Sequence, residues 1–276
     1  MRFALLGGDE RFVRLARRLR EGGHTVRSFA LEIDGAESAR EALEGAEAVI
    51  LPLPCEKNGL LNAPLWDGEA PAALLLNAAA PGTAVLAGMP GEELAKRCAA
   101  RGLMLTDYNR REEFILRNAE LTAEGALPLL MEGPKALPDS AVLVCGYGRI
   151  ARRLAAKLRA LGAAVTVAAR SPAARAAAEL DGCRALELTE TSGSWDAVVN
   201  TVPFPIFGYT ALESFGGAKL IELASPPYGF DFAAAERAGK EVLLASGLPG
   251  KTAPESAAAV LETTILAILE ERKTTL

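Results

Sequence analysis

The chain has 276 residues, of which 50% are hydrophobic and 24% charged, and its net charge is −5. That length exceeds a usual single core and predicts two domains of roughly 100–150 residues each, while the apolar share excludes a disordered chain. The acidic balance argues against nucleic acid or an anionic membrane as a partner, and the single histidine, His24, excludes histidine-rich metal sites and narrows the available acid–base chemistry.

Short apolar runs alternate with amphipathic segments, a pattern of strands and helices around mostly parallel sheets. In the first half, strands are expected at residues 3–6, 25–29, 48–53, 74–76, 84–87 and 104–107, and helices at 10–21, 38–44 and 91–101. Residues 108–131 have helical composition, and Glu132-Gly133-Pro134-Lys135-Ala136-Leu137-Pro138-Asp139-Ser140 then breaks the pattern with a glycine and two prolines. A second alternation follows, with strands at 141–145, 164–168, 197–201, 219–224 and 241–245 and a helix at 149–161. A last helix, 253–271, carries apolar Ala257, Val260, Leu261, Ile265, Ile268 and Leu269, a face able to pack back on the first domain. The expected fold class is α/β. A smaller α/β substrate domain spans 1–135, a Rossmann-type doubly wound parallel sheet spans 136–250, and a C-terminal helix at 251–276 returns to the first domain.

Cys55, Cys98, Cys145 and Cys183 form no C-x-x-C pair, so no cysteine–histidine metal site is expected. Met1-Arg2-Phe3-Ala4-Leu5-Leu6-Gly7-Gly8 reads as a strand entering a turn rather than as a signal peptide. The longest apolar stretch, residues 71–80, contains Asn77 and is too short for a membrane span. These features predict a soluble protein of a reducing cytoplasm.

Val142-Leu143-Val144-Cys145-Gly146-Tyr147-Gly148-Arg149-Ile150-Ala151 places G-x-G-x-x-A between a strand and a helix, the context that makes the pattern a dinucleotide signal. Gly146 permits the tight turn, Gly148 lets a pyrophosphate approach the backbone, Ala151 allows close packing, and the amides at Arg149 and Ile150 open the helix. The alternative is a tight turn without a ligand. After the next strand, an NAD enzyme usually carries Asp or Glu for the ribose 2′-hydroxyl. Here Ala169, Arg170 and Ser171 follow, with Arg175 a turn later. A guanidinium and a hydroxyl suit a 2′-phosphate and favour NADP over NAD, with a solvated strand-end arginine as the plain alternative. Further loops expected at strand ends contain Asn200, Thr201 and Pro203, then Ala224, then Gly247. Each is a candidate wall for the nicotinamide or a plain turn.

Several motifs together resemble the A subunits of dipicolinate synthase over nearly the whole chain. They include Gly8-Asp9-Glu10-Arg11, Leu51-Pro52-Leu53-Pro54 with Asn58-Gly59, and Asp107-Tyr108-Asn109-Arg110-Arg111-Glu112-Glu113. Asn118-Ala119-Glu120-Leu121-Thr122-Ala123-Glu124-Gly125-Ala126, Ala224-Ser225-Pro226 and Gly247-Leu248-Pro249-Gly250-Lys251-Thr252-Ala253-Pro254 extend the match. Cys55 and Leu121 stand where a small polar residue and a proline are expected, and Pro227-Tyr228-Gly229 replaces Pro-Gly-Gly.

The resemblance implies a sporulation enzyme of the mother-cell cytoplasm. With NADP and the synthase's second, flavoprotein-like B subunit, it would convert a dihydrodipicolinate-type intermediate into pyridine-2,6-dicarboxylate. Two substrate carboxylates call for cations, and the substrate-side candidates are Asp9, Arg11, Pro54, Asn58, Arg110 and Arg111, with Lys251 beside the glycine–proline turn. Glu124 is the expected base and Thr122 a carboxylate-binding hydroxyl, set against a helix start with Thr122 as cap. Two other readings stay open: an NADP-binding scaffold, and a 2-hydroxyacid dehydrogenase. The second would need a catalytic histidine, whereas His24 lies in a turn that leaves a helix. A homo-oligomer is also compatible with the apolar last helix.

Overall fold

The computed structural model describes residues 1–31, 35–133 and 135–275, and Pro134 of the expected interdomain break lies outside them. β1 (Arg2–Leu6) leads through α1 (Glu10–Glu21) to β2 (Thr25–Phe29), α2 (Ala39–Leu43) and β3 (Ala48–Ile50). A small antiparallel hairpin, β4 (Glu56–Lys57) and β5 (Leu60–Leu61), precedes α3 (Ala72–Leu75), β6 (Ala84–Ala87), α4 (Glu92–Ala100) and β7 (Met104–Asp107). The five longer strands form a parallel sheet in the order β2-β1-β3-β6-β7. The strand order reverses between β1 and β3, so the loops after those strands meet at a topological switch point.

The sequence explains α1 locally. Asp9 caps it by accepting from Arg11 N–H, and Phe12, Leu15, Ala16 and Leu19 repeat at helical spacing on the buried face. The expected strand at 74–76 is corrected: those residues lie in α3 and a 3₁₀ turn at Leu76–Ala78. A short apolar run fits either a strand or a buried helical turn, and the core seat taken by Leu76 does not distinguish them.

The long α5 (Glu112–Met131) follows, then β8 (Ala141–Cys145), α6 (Arg149–Ala160), β9 (Ala164–Ala168), α7 (Pro172–Leu180) and β10 (Arg184–Leu186). β11 (Ala197–Asn200), α8 (Tyr209–Ser214), β12 (Lys219–Glu222), α9 (Phe232–Arg237) and β13 (Val242–Leu244) complete the second sheet, in the parallel order β10-β9-β8-β11-β12-β13. This is the doubly wound order of dinucleotide-binding folds, with its switch point between β8 and β11. β8 and β11 are buried on both faces and correspondingly apolar.

α10 (Leu248–Thr252) and α11 (Pro254–Thr275) end the chain. Two compact units result, Met1–Asn118 with Pro249–Leu276, and Ala119–Leu248. The expected boundaries at 135 and 250 are therefore shifted. Phe114 of α5 belongs to the first unit's core, whereas Ala123, Ala126 and Leu130 already belong to the second. The glycine–proline break lies inside the second unit.

Within the first unit, Ala258, Leu261, Ile265 and Leu269 of α11 share a core with Phe12, Leu15 and Leu19 of α1. Arg18 adds ion pairs to Glu262 at 2.8 Å and Glu255 at 3.2 Å. Burial decides this packing: a buried Leu or Ile contributes roughly 1.5–3 kcal/mol, an exposed ion pair about 0–1 kcal/mol.

Candidate functional site

In the second unit, β8 runs into Gly146, whose φ of +91° lies in the left-handed region. A β-carbon there would stand 2.6 Å from Thr201 Oγ1, and that hydroxyl donates to Cys145 O at 2.7 Å. The turns after β8 and β11 thus touch at the switch point, which accounts for glycine at 146. Gly148 caps α6 without a side-chain bond, and nothing lies within 4 Å of where its β-carbon would be. The open backbone and helix N-terminus fit a pyrophosphate. Arg149 is exposed, Ile150 is half-buried, and Ala151 is buried where α6 meets the sheet.

Tyr147 anchors the turn. Its hydroxyl donates to Asp181 Oδ2 at 2.6 Å, its carbonyl accepts from Arg152 Nε, and the Arg152 guanidinium lies 5.1 Å from the ring centroid. Burial, reinforced by the Asp181 bond, pushes the phenol above its ordinary range.

At the end of β9, Ala168 and Ala169 are buried while Arg170 and Ser171 are exposed. Residues 168–171 contain no carboxylate, and Ser171 precedes α7 without a side-chain cap bond. Arg175 braces the same loop. Its Nη1 donates to Ala169 O at 2.8 Å and Arg170 O at 2.9 Å, and its Nη2 faces Glu187 at 3.6 Å, so it holds the loop that presents Arg170.

Asn200, expected in the nicotinamide wall, is engaged within the protein. It is fully buried, and its amide donates to Glu222 Oε1 at 2.6 Å and Val202 O at 2.9 Å. Glu222 also accepts from Ala224, Gly229 and Phe230 N–H groups. Glu222 is absent from the sequence expectations, although one signal was available: a lone carboxylate in the apolar run Leu220-Ile221-Glu222-Leu223-Ala224. Pro203 and Gly247 are exposed, and Gly247 takes a φ of +68°.

The expected base sits in mid-helix. Thr122 and Glu124 lie inside α5, not at a helix start, and Thr122 is buried. Glu124 Oε1 pairs with Lys157 Nζ at 3.2 Å, beside the 2.5 Å pair of Lys157 with Glu120. Lys157 is eight residues beyond Arg149, about 12 Å along α6 from the glycine turn. The bond to Glu120 first, then that to Glu124, raises the ammonium's pKa against the opposing effect of burial.

In the first unit, the loops after β1 and β3 meet at Arg11. This residue is 5% exposed; its Nε and Nη2 grip the Asp9 carboxylate at 2.8–3.1 Å, and Nη2 reaches Leu53 O at 3.3 Å. It is an interior cation. Pro54 follows a cis peptide, and its carbonyl accepts from Asn62 Nδ2. Asn58 and Gly59, with φ of +53° and +78°, make the tight turn between β4 and β5, which accounts for Asn58 without a ligand. Arg111 is taken up by Glu271, through two bonds of 2.6 and 2.7 Å, and by Glu113 at 2.6 Å. Arg110, with its side chain 86% exposed and 3.6 Å from Asp107, and Lys251, exposed on α10, remain outward-facing cations.

All four thiols are buried, and burial pushes Cys55 up to about 12, so none resembles an activated nucleophile. His24 packs edge-on to Phe3, and its Nδ1 lies 3.4 Å from the Met1 amino group. Among the described residues, no group of three or more His, Cys, Asp or Glu is placed to hold a metal, and no helix is long and apolar enough to cross a membrane.

Residues 2–109 match the family of N-terminal domains of the dipicolinate synthase A subunit, and residues 129–206 match the NAD binding domain of D-isomer specific 2-hydroxyacid dehydrogenases. The dipicolinate synthase A subunit of Bacillus subtilis (strain 168) is 34% identical over 192 residues, which are 68% of this chain and 65% of that relative. The matched region thus spans somewhat less than two thirds of the relative's length. The crystal structure of the same synthase component from B. subtilis aligns with a TM-score of 0.84 at 27% identity, covering 100% of this chain and 98% of that one. The crystal structure of its Bacillus halodurans counterpart aligns with a TM-score of 0.85 at 24% identity, covering 97% of each. In sequence and in fold, the chain belongs to the family of dipicolinate synthase A subunits.

Proposed function

We propose that the chain oxidises a dihydrodipicolinate-type intermediate to pyridine-2,6-dicarboxylate with NADP, acting with the flavoprotein-like B subunit in the mother-cell cytoplasm of a sporulating bacterium. The observation that carries the cofactor choice is the exposed Arg170–Ser171 pair after β9, in a stretch, residues 168–171, without the Asp or Glu that usually receives a ribose 2′-hydroxyl. The match of residues 129–206 to a dehydrogenase NAD binding domain supports a dinucleotide-dependent oxidoreductase.

The bound dinucleotide supplies the hydride acceptor. The N–H groups at the start of α6 hold its phosphates, Arg170 and Ser171 bind the 2′-phosphate, and Arg175 keeps their loop in place. Thr201, fixed on Cys145 O, shapes the turn beside Gly146. Arg110 and Lys251 are the exposed cations offered to the two carboxylates, while Arg11 and Asp9 order the loop after β1. Aromatisation provides much of the driving force, so orientation is the protein's main task.

A second reading, a dinucleotide-binding component whose chemistry is completed by its partner, is supported by the engagement of the expected base, Glu124, in an ion pair with Lys157. The deciding experiment follows NADPH formation from freshly generated dihydrodipicolinate, using the chain alone and then with the B subunit. Turnover by the chain alone establishes an autonomous dehydrogenase. Turnover only with the partner present establishes the joint enzyme, and none in either case overturns the assignment.

A further inference from the structure

Glu222 is fully buried at the end of β12, directly opposite Asn200 at the end of β11. The proposed hydride transfer gives it no role, yet it bonds to both loops that leave the sheet there. Oε1 accepts from Asn200 Nδ2 at 2.6 Å and from Ala224 N at 2.9 Å. Oε2 accepts from Gly229 N at 2.8 Å and from Phe230 N at 3.2 Å. Asn200 extends the network along its own loop, accepting from Val202 N at 3.1 Å and donating to Val202 O at 2.9 Å.

This arrangement is selective for a carboxylate. An ionised carboxyl group offers acceptor positions on both oxygens and no donor, and every group facing Glu222 in these bonds is an N–H donor. A glutamine would turn an NH₂ towards other N–H groups. Burying such a group is costly unless it is fully bonded, and an apolar side chain would fill the strand end equally well. What the carboxylate adds is a fixed position for residues 200–202 and 224–230. Gly229 completes the fit: a β-carbon there would fall 2.3 Å from Asn200 Nδ2, so only glycine lets the second loop close on the amide.

We propose that Glu222, acting through Asn200, is a positioning residue that fixes the loops after β11 and β12 as the wall for the nicotinamide half of the dinucleotide. The adenosine half is left to Gly146, Gly148 and Arg170. This rests on the dinucleotide reading given above, and the two fail in distinguishable ways.

The test compares Glu222→Gln with Gly229→Ala, each checked for folding by circular dichroism and thermal melting. Both are titrated by calorimetry with NADP and with adenosine 2′,5′-bisphosphate, which represents the adenosine half alone. Loss of a hydrogen bond to a charged group predicts that NADP binds about ten-fold or more weakly, while the bisphosphate stays within about two-fold of the parent chain. NADP affinity within two-fold of the parent overturns the proposal, as does an equal loss for both probes in a folded variant. If Glu222→Gln does not fold, Gly229→Ala decides by the same criteria, because it pries Asn200 away and leaves the carboxylate in place. A parent chain that binds neither probe overturns the dinucleotide reading itself, and this proposal with it.

Discussion

Gly250 stands against Asp9 with no room for a side chain: a β-carbon there would lie 2.7 Å from Asp9 Oδ2 and 2.9 Å from Arg11 Nε. The returning C-terminal segment therefore closes on the ion pair that orders the loop after β1. Gly250→Ala must push that pair aside, and overpacking of this kind costs about 1–3 kcal/mol. Urea denaturation should show the loss. Asp9→Ala opens the space, so the double variant should recover part of it, with a coupling above about 0.5 kcal/mol. Strictly additive effects would show that the contact carries no energy.

Arg170 is expected to decide cofactor preference. Losing one or two charge-assisted bonds to a 2′-phosphate costs about 1.5–3 kcal/mol, so Arg170→Ala should weaken NADPH binding by roughly ten- to a hundred-fold and leave NADH unchanged. Arg175→Ala should have a smaller effect in the same direction, because its Nη1 is spent on the carbonyls of Ala169 and Arg170. Fluorescence titration with both nucleotides measures this. NADH bound as tightly as NADPH by the parent chain would end the argument for NADP.

Glu124→Gln should retain full turnover in the presence of the B subunit. The carboxylate is half-exposed and paired with Lys157, so its removal should change stability by no more than about 0.5 kcal/mol. Lys157 also has a pH signature. Its folded-state pKa is raised above 10.5, mainly by Glu120, so the stability it contributes is fully present below that value and is lost as the pH rises through the raised one. Melting temperatures measured between neutral pH and pH 11 should fall less in Glu120→Gln than in the parent.

Most of the scaffold was legible because its signals are local. An apolar strand, Gly146-Tyr147-Gly148 and a helix can be read from consecutive residues, and so can the cap at Asp9. The Asn58-Gly59 hairpin was equally legible as a turn but was assigned to substrate through its motif. What could not be read depends on register. Asn200 and Glu222 meet only because β11 and β12 pair in parallel at that position, 22 residues apart in the chain. The occupation of Arg111 by Glu271, across 160 residues, is hidden for the same reason, as is the pairing of Glu124 with Lys157. The family motifs and the implied substrate made Arg111 and Glu124 candidates, and the fold gives each a tertiary ion-pair partner that the sequence does not announce.

Tyr228 offers a test in which opposing terms nearly cancel. It occupies the left-handed region with φ of +57°, at the position where the family resemblance expects glycine. That conformation costs a non-glycine residue roughly 1–2 kcal/mol. Tyr228→Gly removes the strain but adds about 0.5–1 kcal/mol of backbone entropy. It also gives up the edge contact with Phe232, at a centroid separation of 5.4 Å. Such a ring pair contributes about 0.5–1.5 kcal/mol. The sum is near zero, so Tyr228→Gly should unfold within about 1 kcal/mol of the parent. Tyr228→Val keeps the strain, loses the ring and adds a β-branched side chain, which is least tolerant of positive φ, and should be roughly 1–2 kcal/mol less stable. Urea midpoints for the two variants give the comparison. If Tyr228→Gly proves more than about 1 kcal/mol less stable than the parent, the aromatic contact and backbone entropy together outweigh the backbone strain, and if it proves the weaker of the two variants, the strain itself is smaller than the entropy that glycine adds.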